Sequence, residues 1–245
     1  MRIVSAVTVA VHWWVRPETP QQQAERWLDL LARLTELSDG ELTEWRWDVD
    51  DDAPGPLVPR SSGEFATALQ AANTHDDADI IGWTAHVVGR RQDGGYVQVW
   101  ISAGGTNEHS PFFAIVKLFP GPGAPEPPLA GRVAETLAAL AGAWDPDTGL
   151  AYNRELFKIV KATYGLPASA PRCGWSVHLS ENRAARVPGD FVARRLPTEH
   201  GGIVLDLAAN PGETPATETV LAAHRTLAES GALEPMPVPA TVAKL

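Results

Sequence analysis

The chain has 245 residues, of which 44% are hydrophobic, and this combination is typical of a folded protein with a sizeable core. Its formal net charge of −10 disfavours nucleic acid as a direct ligand, since phosphate binding needs a basic surface, and favours a basic protein partner. No apolar run is long enough to cross a membrane, and no cleavage site follows the apolar N-terminus, so we expect neither a membrane span nor a signal peptide.

Two elements are predicted near the N-terminus. Apolar residues occupy both alternating sets of positions from 3 to 15, which is the pattern of a strand covered on both faces. Thr19, Pro20 and Gln22 then form a capping-box start, with proline at the first helical position. Apolar side chains recur on one face of the helix that follows, which we expect to continue to Leu37.

An acidic run follows a predicted short strand in which Trp45 and Trp47 alternate with charged residues. The run consists of four aspartates, Asp48, Asp50, Asp51 and Asp52. A solvated loop and an interaction surface for a basic partner both explain it. A calcium site is disfavoured because the EF-hand glycine and the bidentate glutamate are missing from their required positions.

The middle of the chain predicts one helix and three strands. Ser61 and Glu64 form a second capping box that opens a helix to about residue 73. Residues 80–90 and 96–103 predict a β-hairpin around an Asp-Gly-Gly turn, and residues 112–119 predict a neighbouring strand. The Pro/Gly-rich segment 121–128 predicts a loop without a domain boundary.

The second half alternates helices and strands. Helical spacing of apolar residues predicts helices over 133–144 and 156–164, and alternation predicts a strand over 172–179. Short segments at 191–196 and 201–208 predict two further strands.

The last predicted helix runs from about Pro215 to Ser230, with Thr214 as its N-cap and Gly231 just beyond its end. Three prolines then predict an irregular, exposed tail over 236–245. Together the elements predict an α+β fold, with a mainly antiparallel sheet packed with several helices in a single domain.

Chemistry-bearing motifs are missing from the sequence. The seven histidines have no zinc-motif spacing, and Cys173, the only cysteine, permits no intramolecular disulfide and is expected to be a buried structural thiol. No nucleophile elbow, phosphate-binding loop or dinucleotide fingerprint occurs. We therefore predict no catalytic, cofactor or metal residues. A small-molecule hydrolase or transferase, assembled from scattered carboxylates and histidines, stays an alternative.

Nine tryptophans are present, and most lie beside aliphatic residues in strand or helix patterns. Large aromatic side chains in such positions usually belong to the core. We expect one or two of them to be exposed instead, where a tryptophan can anchor a protein interface.

Several short segments, taken in order, resemble the bacterial Immunity protein 52 family of polymorphic toxin systems. The resemblance extends from Val7 to Pro235 and rests on the order and spacing of these segments. They are Trp14, Arg16 and Glu18; Trp45; Ala143 to Asp147; Gly174, Trp175 and Leu179; Gly202 to Val204; Asn210 and Pro211; and Gly231 to Pro235.

The resemblance implies a non-enzymatic, cytoplasmic immunity protein, with residues 1–235 as its α+β domain. Such a protein binds and neutralises a cognate toxin, implied here to be a restriction-endonuclease-like nuclease, by blocking its active site or substrate access. No cofactor, membrane or direct nucleic-acid contact is expected. The charge of the chain, rather than the resemblance, suggests the toxin-binding candidates, which are Asp48, Asp50, Asp51, Asp52, Asp76 and Asp77.

Overall fold

The computed structural model describes residues 6–49, 54–122 and 126–245, and the bounds below refer to these residues. The β-strands are β1 Val7–Trp13, β2 Trp45–Trp47, β3 Trp83–Arg90, β4 Tyr96–Ala103, β5 Phe112–Phe119, β6 Thr148–Tyr152, β7 Ser176–Leu179, β8 Arg194–Pro197 and β9 Ile203–Asp206. The α-helices are α1 Pro20–Leu37, α2 Ser62–Ala72, α3 Ala78–Ile81, α4 Val133–Trp144, α5 Arg154–Tyr164, α6 Glu181–Ala184 and α7 Thr217–Glu229. Positions 3–5 of the predicted first strand and positions 123–125 of the predicted loop lie outside the described residues.

All the described strands join one sheet in the order β2-β3-β4-β5-β1-β6-β7-β9-β8. Every pairing in it is antiparallel. The N-terminal strand β1 lies in the middle, between β5 and β6, so the two halves of the chain meet along it. This architecture confirms the predicted α+β class, with a mainly antiparallel sheet and several helices in one domain.

Helices α1, α2 and α4 cover one face of the sheet, which we call the helical face. The capping box at Thr19 is present as predicted, since its side chain accepts from the Gln22 amide and Gln22 Oε1 accepts from the Thr19 amide at 2.9 Å. Trp27, Leu30 and Leu34 of α1 are fully buried on this face. The rings of Trp13 and Trp144, stacked at 5.2 Å between centroids, are fully buried as well. This face holds the main hydrophobic core.

The opposite face of the sheet is divided in two. On β6, β7 and β9 it carries a second apolar core, in which residues such as Val177 and Leu205 pack with Val160 of α5 and Leu227 of α7. On β3, β4 and β5, no helix in the described part of the chain packs against this face to form an apolar core. We call that uncovered part the open half-face.

The sheet also contains elements that the sequence pattern did not indicate. Strand β6, which pairs with β1 and β7, was not predicted. Its first four residues are buried because both of its faces are covered, so no alternation of polar and apolar residues marks it. Helix α6 also was not predicted, and it is a single turn of four residues.

Three local expectations were wrong. Ile80 and Ile81 form helix α3, because Gly82 at φ +83° turns the chain before β3 begins. The cap of α7 is Ala216 instead of Thr214. The tail is irregular but not fully exposed, since Met236 and Ala240 are buried against Trp14.

In the described part of the chain, no helix combines the length and the apolar character that crossing a membrane requires.

Candidate functional site

The open half-face carries a row of aromatic side chains across three strands. Cross-strand register places His86 of β3 opposite Trp100 of β4, and Trp100 opposite Ile115 of β5. The His86 and Trp100 rings stack at 5.1 Å between centroids, and the Trp100 and Phe113 rings are arranged edge to face at 4.7 Å between centroids. These rings lie on the uncovered side because strand residues alternate between faces.

A second aromatic pair and two cations extend this surface. Tyr96 and Phe119 stack at 4.5 Å between ring centroids. Arg90 lies over the Tyr96 ring at 5.1 Å, and the Lys117 ammonium lies 5.9 Å from the Trp100 ring centroid. The rings on β4 and β5 are half-buried, whereas their neighbours on the helical face are fully buried. The surface therefore presents apolar area with cationic side chains among the rings.

Asp48, a predicted binding residue, lies on this same face. Its amide donates to the His86 carbonyl at 2.9 Å just beyond β2, and its Oδ2 accepts from Gln98 Nε2 at 2.6 Å. Gln98 stands on β4 between Tyr96 and Trp100, on the same side of the strand. The first of the six predicted aspartates thus borders the aromatic row.

Asp76 and Asp77 lie in the turn that leads into α3, and both are exposed. Asp77 Oδ1 is 3.0 Å from His75 Nδ1. The last residue of α3, Ile81, accepts at its carbonyl a 3.4 Å hydrogen bond from the Ser102 hydroxyl, which belongs to the open half-face. This acidic turn therefore adjoins the end of the face at which β4 finishes.

Two exposed aliphatic side chains accompany these carboxylates. Ile80 is 54% exposed and Ile81 is 43% exposed. Apolar side chains beside acidic ones form a mixed surface of the kind that protein partners cover. The remaining predicted candidates, Asp50, Asp51 and Asp52, lie outside the described residues.

Two titratable groups of the interior, His178 and Cys173, are held in their uncharged forms. Burial lowers the pKa of His178 to about 4, although the Pro146 carbonyl and nearby carboxylates oppose this shift. Burial also raises the pKa of the Cys173 thiol, which is 1% exposed. Among the described residues, no group of three or more histidine, cysteine, aspartate or glutamate side chains is arranged to hold a metal ion.

The sequence pattern did not indicate the aromatic row as a functional candidate. It assigned most tryptophans to the core, and this is correct for Trp13, Trp27 and Trp144, which are fully buried. Trp100 differs because it shares a side of β4 with Gln98 and Ser102, whereas Val97, Val99 and Ile101 point to the helical face. The polarity of its neighbours two positions away is the signal that marks its partial exposure.

The fold and this surface define an α+β protein with one face of its sheet half uncovered. No protein-family model matches the chain, and no curated protein matches it either. Among solved structures it is similar to the Pseudomonas aeruginosa T6SS protein PA0821, with a TM-score of 0.50 and 12% sequence identity. The match covers 93% of this chain and 73% of that chain, and at this identity it concerns the fold.

Proposed function

We propose that this chain is an immunity protein that binds and neutralises a cognate bacterial toxin, and that the open half-face is the surface it uses. The uncovered aromatic row carries this proposal, because rigid rings on a sheet provide large contact area at low entropic cost. The resemblance to the Immunity protein 52 family supports the assignment, as does the structural likeness to a protein described as belonging to the T6SS.

The acidic border supplies the electrostatic part of the proposal. Asp48, Asp76 and Asp77 adjoin the open half-face, and the chain carries a net charge of −10. A nuclease toxin needs a basic surface for its own substrate. An acidic border facing that surface accelerates association and occupies the place of the nucleic acid. We accordingly propose a restriction-endonuclease-like nuclease as the partner, neutralised by blocked substrate access.

The test begins with co-expression of the chain and the protein encoded immediately upstream, followed by co-purification and a nuclease assay. Trp100→Ala is expected to weaken the complex by about tenfold or more, as for a central aromatic anchor. Ile80→Ala is compared with Val192→Ala, which truncates another exposed aliphatic residue, 92% exposed in the loop before the opposite edge strand β8. Only Ile80→Ala should weaken binding.

Charge is tested separately from shape. Asp76→Lys should slow association and reduce its dependence on salt, whereas Glu36→Lys, on exposed α1 surface across the sheet, should change neither. Loss of affinity on Trp100→Ala with no effect of Asp76→Lys keeps the open half-face and removes the acidic turn from the interface. If Trp100→Ala and Ile80→Ala both bind the toxin as tightly as the unmodified chain, the open half-face is not the binding surface. If no complex forms with the neighbouring protein, the hydrolase or transferase alternative is favoured over the immunity function.

A further inference from the structure

A cavity of about 310 Å³ lies where the open half-face meets the half covered by α5. His12 of β1 and Thr148 of β6 stand opposite each other in the sheet and form part of its wall. The aromatic rings of Phe113, Tyr152 and Phe157 also line it. The volume lies at the lower end of the range for small-molecule sites.

Arg172 also lines this cavity, and it is a buried cation without an acidic partner among the described residues. Its side chain is held in place at three points, since Nε donates to the Ala170 carbonyl and Nη2 donates to the carbonyls of Pro167 and Ala168. The guanidinium also lies 4.4 Å from the Phe157 ring centroid. The residue is only 4% exposed, so its charge is almost fully removed from water.

One nitrogen of this guanidinium is left over. Nη1 is buried and has no hydrogen-bond partner in the described part of the chain. Buried polar groups are normally satisfied, and buried charges are normally paired, because either lack is costly. Because Arg172 lines the cavity, a fixed guanidinium with one unsatisfied nitrogen favours an anionic ligand there.

The other polar groups of the cavity add donors but no second charge. The Tyr152 hydroxyl lies close enough to Arg172 for that charge to oppose the rise in its pKa that burial causes. Burial and the neighbouring Arg172 lower the pKa of His12 to about 4, so its ring is neutral near pH 7. A single positive charge matches a ligand with a single negative charge. Beside it, Leu150 and the rings supply an apolar wall suited to an organic body.

We propose that this cavity binds a small organic monocarboxylate, with the carboxylate beside the Arg172 guanidinium and the Tyr152 hydroxyl and an apolar body against the aromatic rings. The site is independent of the proposed toxin complex, because it requires only the folded chain. It assigns a ligand class to a cavity that shares one ring, Phe113, with the proposed toxin-binding surface.

The test is calorimetric titration of the full chain in Tris chloride with benzoate, with neutral benzamide and with inorganic phosphate. Benzoate should bind about tenfold or more tightly than benzamide, which has a similar shape without the charge, as expected for a hydrogen bond to a charged group. Phosphate should bind more weakly than benzoate. Equal binding of benzoate and benzamide, preference for phosphate, or no binding of benzoate at millimolar concentrations would overturn the proposal.

Variants locate the site. Arg172→Gln should abolish the preference for benzoate over benzamide, whereas Arg225→Gln, which removes the same charge from an exposed position on α7, should retain it. Tyr152→Phe keeps the ring and removes only the hydroxyl, so it should weaken benzoate several-fold and leave benzamide unchanged. This second variant decides the question if Arg172→Gln does not fold. If both variants bind benzoate as tightly as the unmodified chain, benzoate binds elsewhere as an adventitious additive only, and the proposed site is refuted.

Discussion

A buried ion pair between Arg183 and Asp147 ties three parts of the chain together. Arg183 Nε donates to Asp147 Oδ1 at 2.7 Å, and Nη2 donates to Oδ2 at 2.8 Å. The remaining nitrogen, Nη1, donates to the Ala232 carbonyl at 2.9 Å. Arg183 lies on α6, Asp147 precedes β6, and Ala232 follows α7. The side chains of the pair are 0% and 3% exposed, so water screens them very little.

Arg183→Met should destabilise the protein by about 3–5 kcal/mol, because it leaves a carboxylate buried without its cation. Asp147 would keep only the 3.0 Å bond from the Leu245 amide and the 3.4 Å contact with the Ser180 hydroxyl. The double variant Asp147→Leu with Arg183→Met should be much less destabilised than the sum of its single variants. Replacing both partners removes the buried charge as well as the attraction, and such replacements are often close to neutral.

Urea unfolding followed by tryptophan fluorescence measures these differences at pH 7. The matched control is Arg186→Met, which makes the same substitution three residues after Arg183 in the sequence. It breaks the exposed ion pair between Arg186 and Glu234. That pair is 39% and 58% exposed, so its loss should cost about 1 kcal/mol or less. An Arg183→Met cost no larger than the Arg186→Met cost, or additive single effects in the double variant, would refute the reasoning.

Three further outcomes follow from buried or strained positions. His178, whose pKa burial lowers to about 4, is protonated in the unfolded chain below roughly pH 6.5, so native stability should fall as pH drops from about 6.5 towards 4. The His178 contribution amounts to about 1.6 kcal/mol between pH 6.5 and pH 5. His178→Gln should reduce the pH dependence of the urea midpoint without removing it, because burial also lowers the pKa of His12 and of His224 to about 4. Gly82→Ala should lower the unfolding free energy by about 2 kcal/mol or more, because φ is +83° and a Cβ would collide with the Ala103 carbonyl. Gly63→Ala is the control, because a Cβ there meets open space within α2, and it should raise the unfolding free energy by roughly 0.5–1 kcal/mol. Cys173 should react with a thiol reagent only after unfolding, since its thiol is buried with a raised pKa.

Local signals predicted the elements whose residues contact one another nearby in sequence. The capping box at Thr19 and Gln22 and the hairpin of β3 with β4 depend on neighbours a few residues apart, so composition and spacing reveal them. Strand β6 depends on coverage by distant segments on both faces, and its short, continuously apolar sequence has no distinctive period. The predicted cap of α7 was also wrong. Thr214 and Pro215 are typical of a helix start, but the helix begins at Thr217, two residues after Pro215.

The candidate sites were less accessible to sequence reasoning than the fold. Counting aspartates gave Asp48 and Asp76 as candidates. Only the three-dimensional structure places them at one surface, through the bond from Gln98 to Asp48 and the bond from Ser102 to the Ile81 carbonyl in the helix that follows Asp76. Arg172 gave no signal at all. Its significance lies in having no carboxylate partner among the described residues, and that follows from three-dimensional packing around residues as distant as His12.

The burial patterns of the strands differ between the open half-face and the half of the same sheet face that α5 and α7 cover. The strands β4 and β5 alternate strictly between half-buried and fully buried positions, whereas every residue of β7 is buried. An uncovered strand position needs only a polar side chain to remain stable in water, yet the open half-face carries Trp100 and Phe113 there. Contiguous, partly exposed rings of this kind form an apolar patch, and large apolar patches on protein surfaces often mark the site of a partner. The placement of rings at positions where the fold does not require them is therefore the structural reason to expect a partner on this half of the sheet.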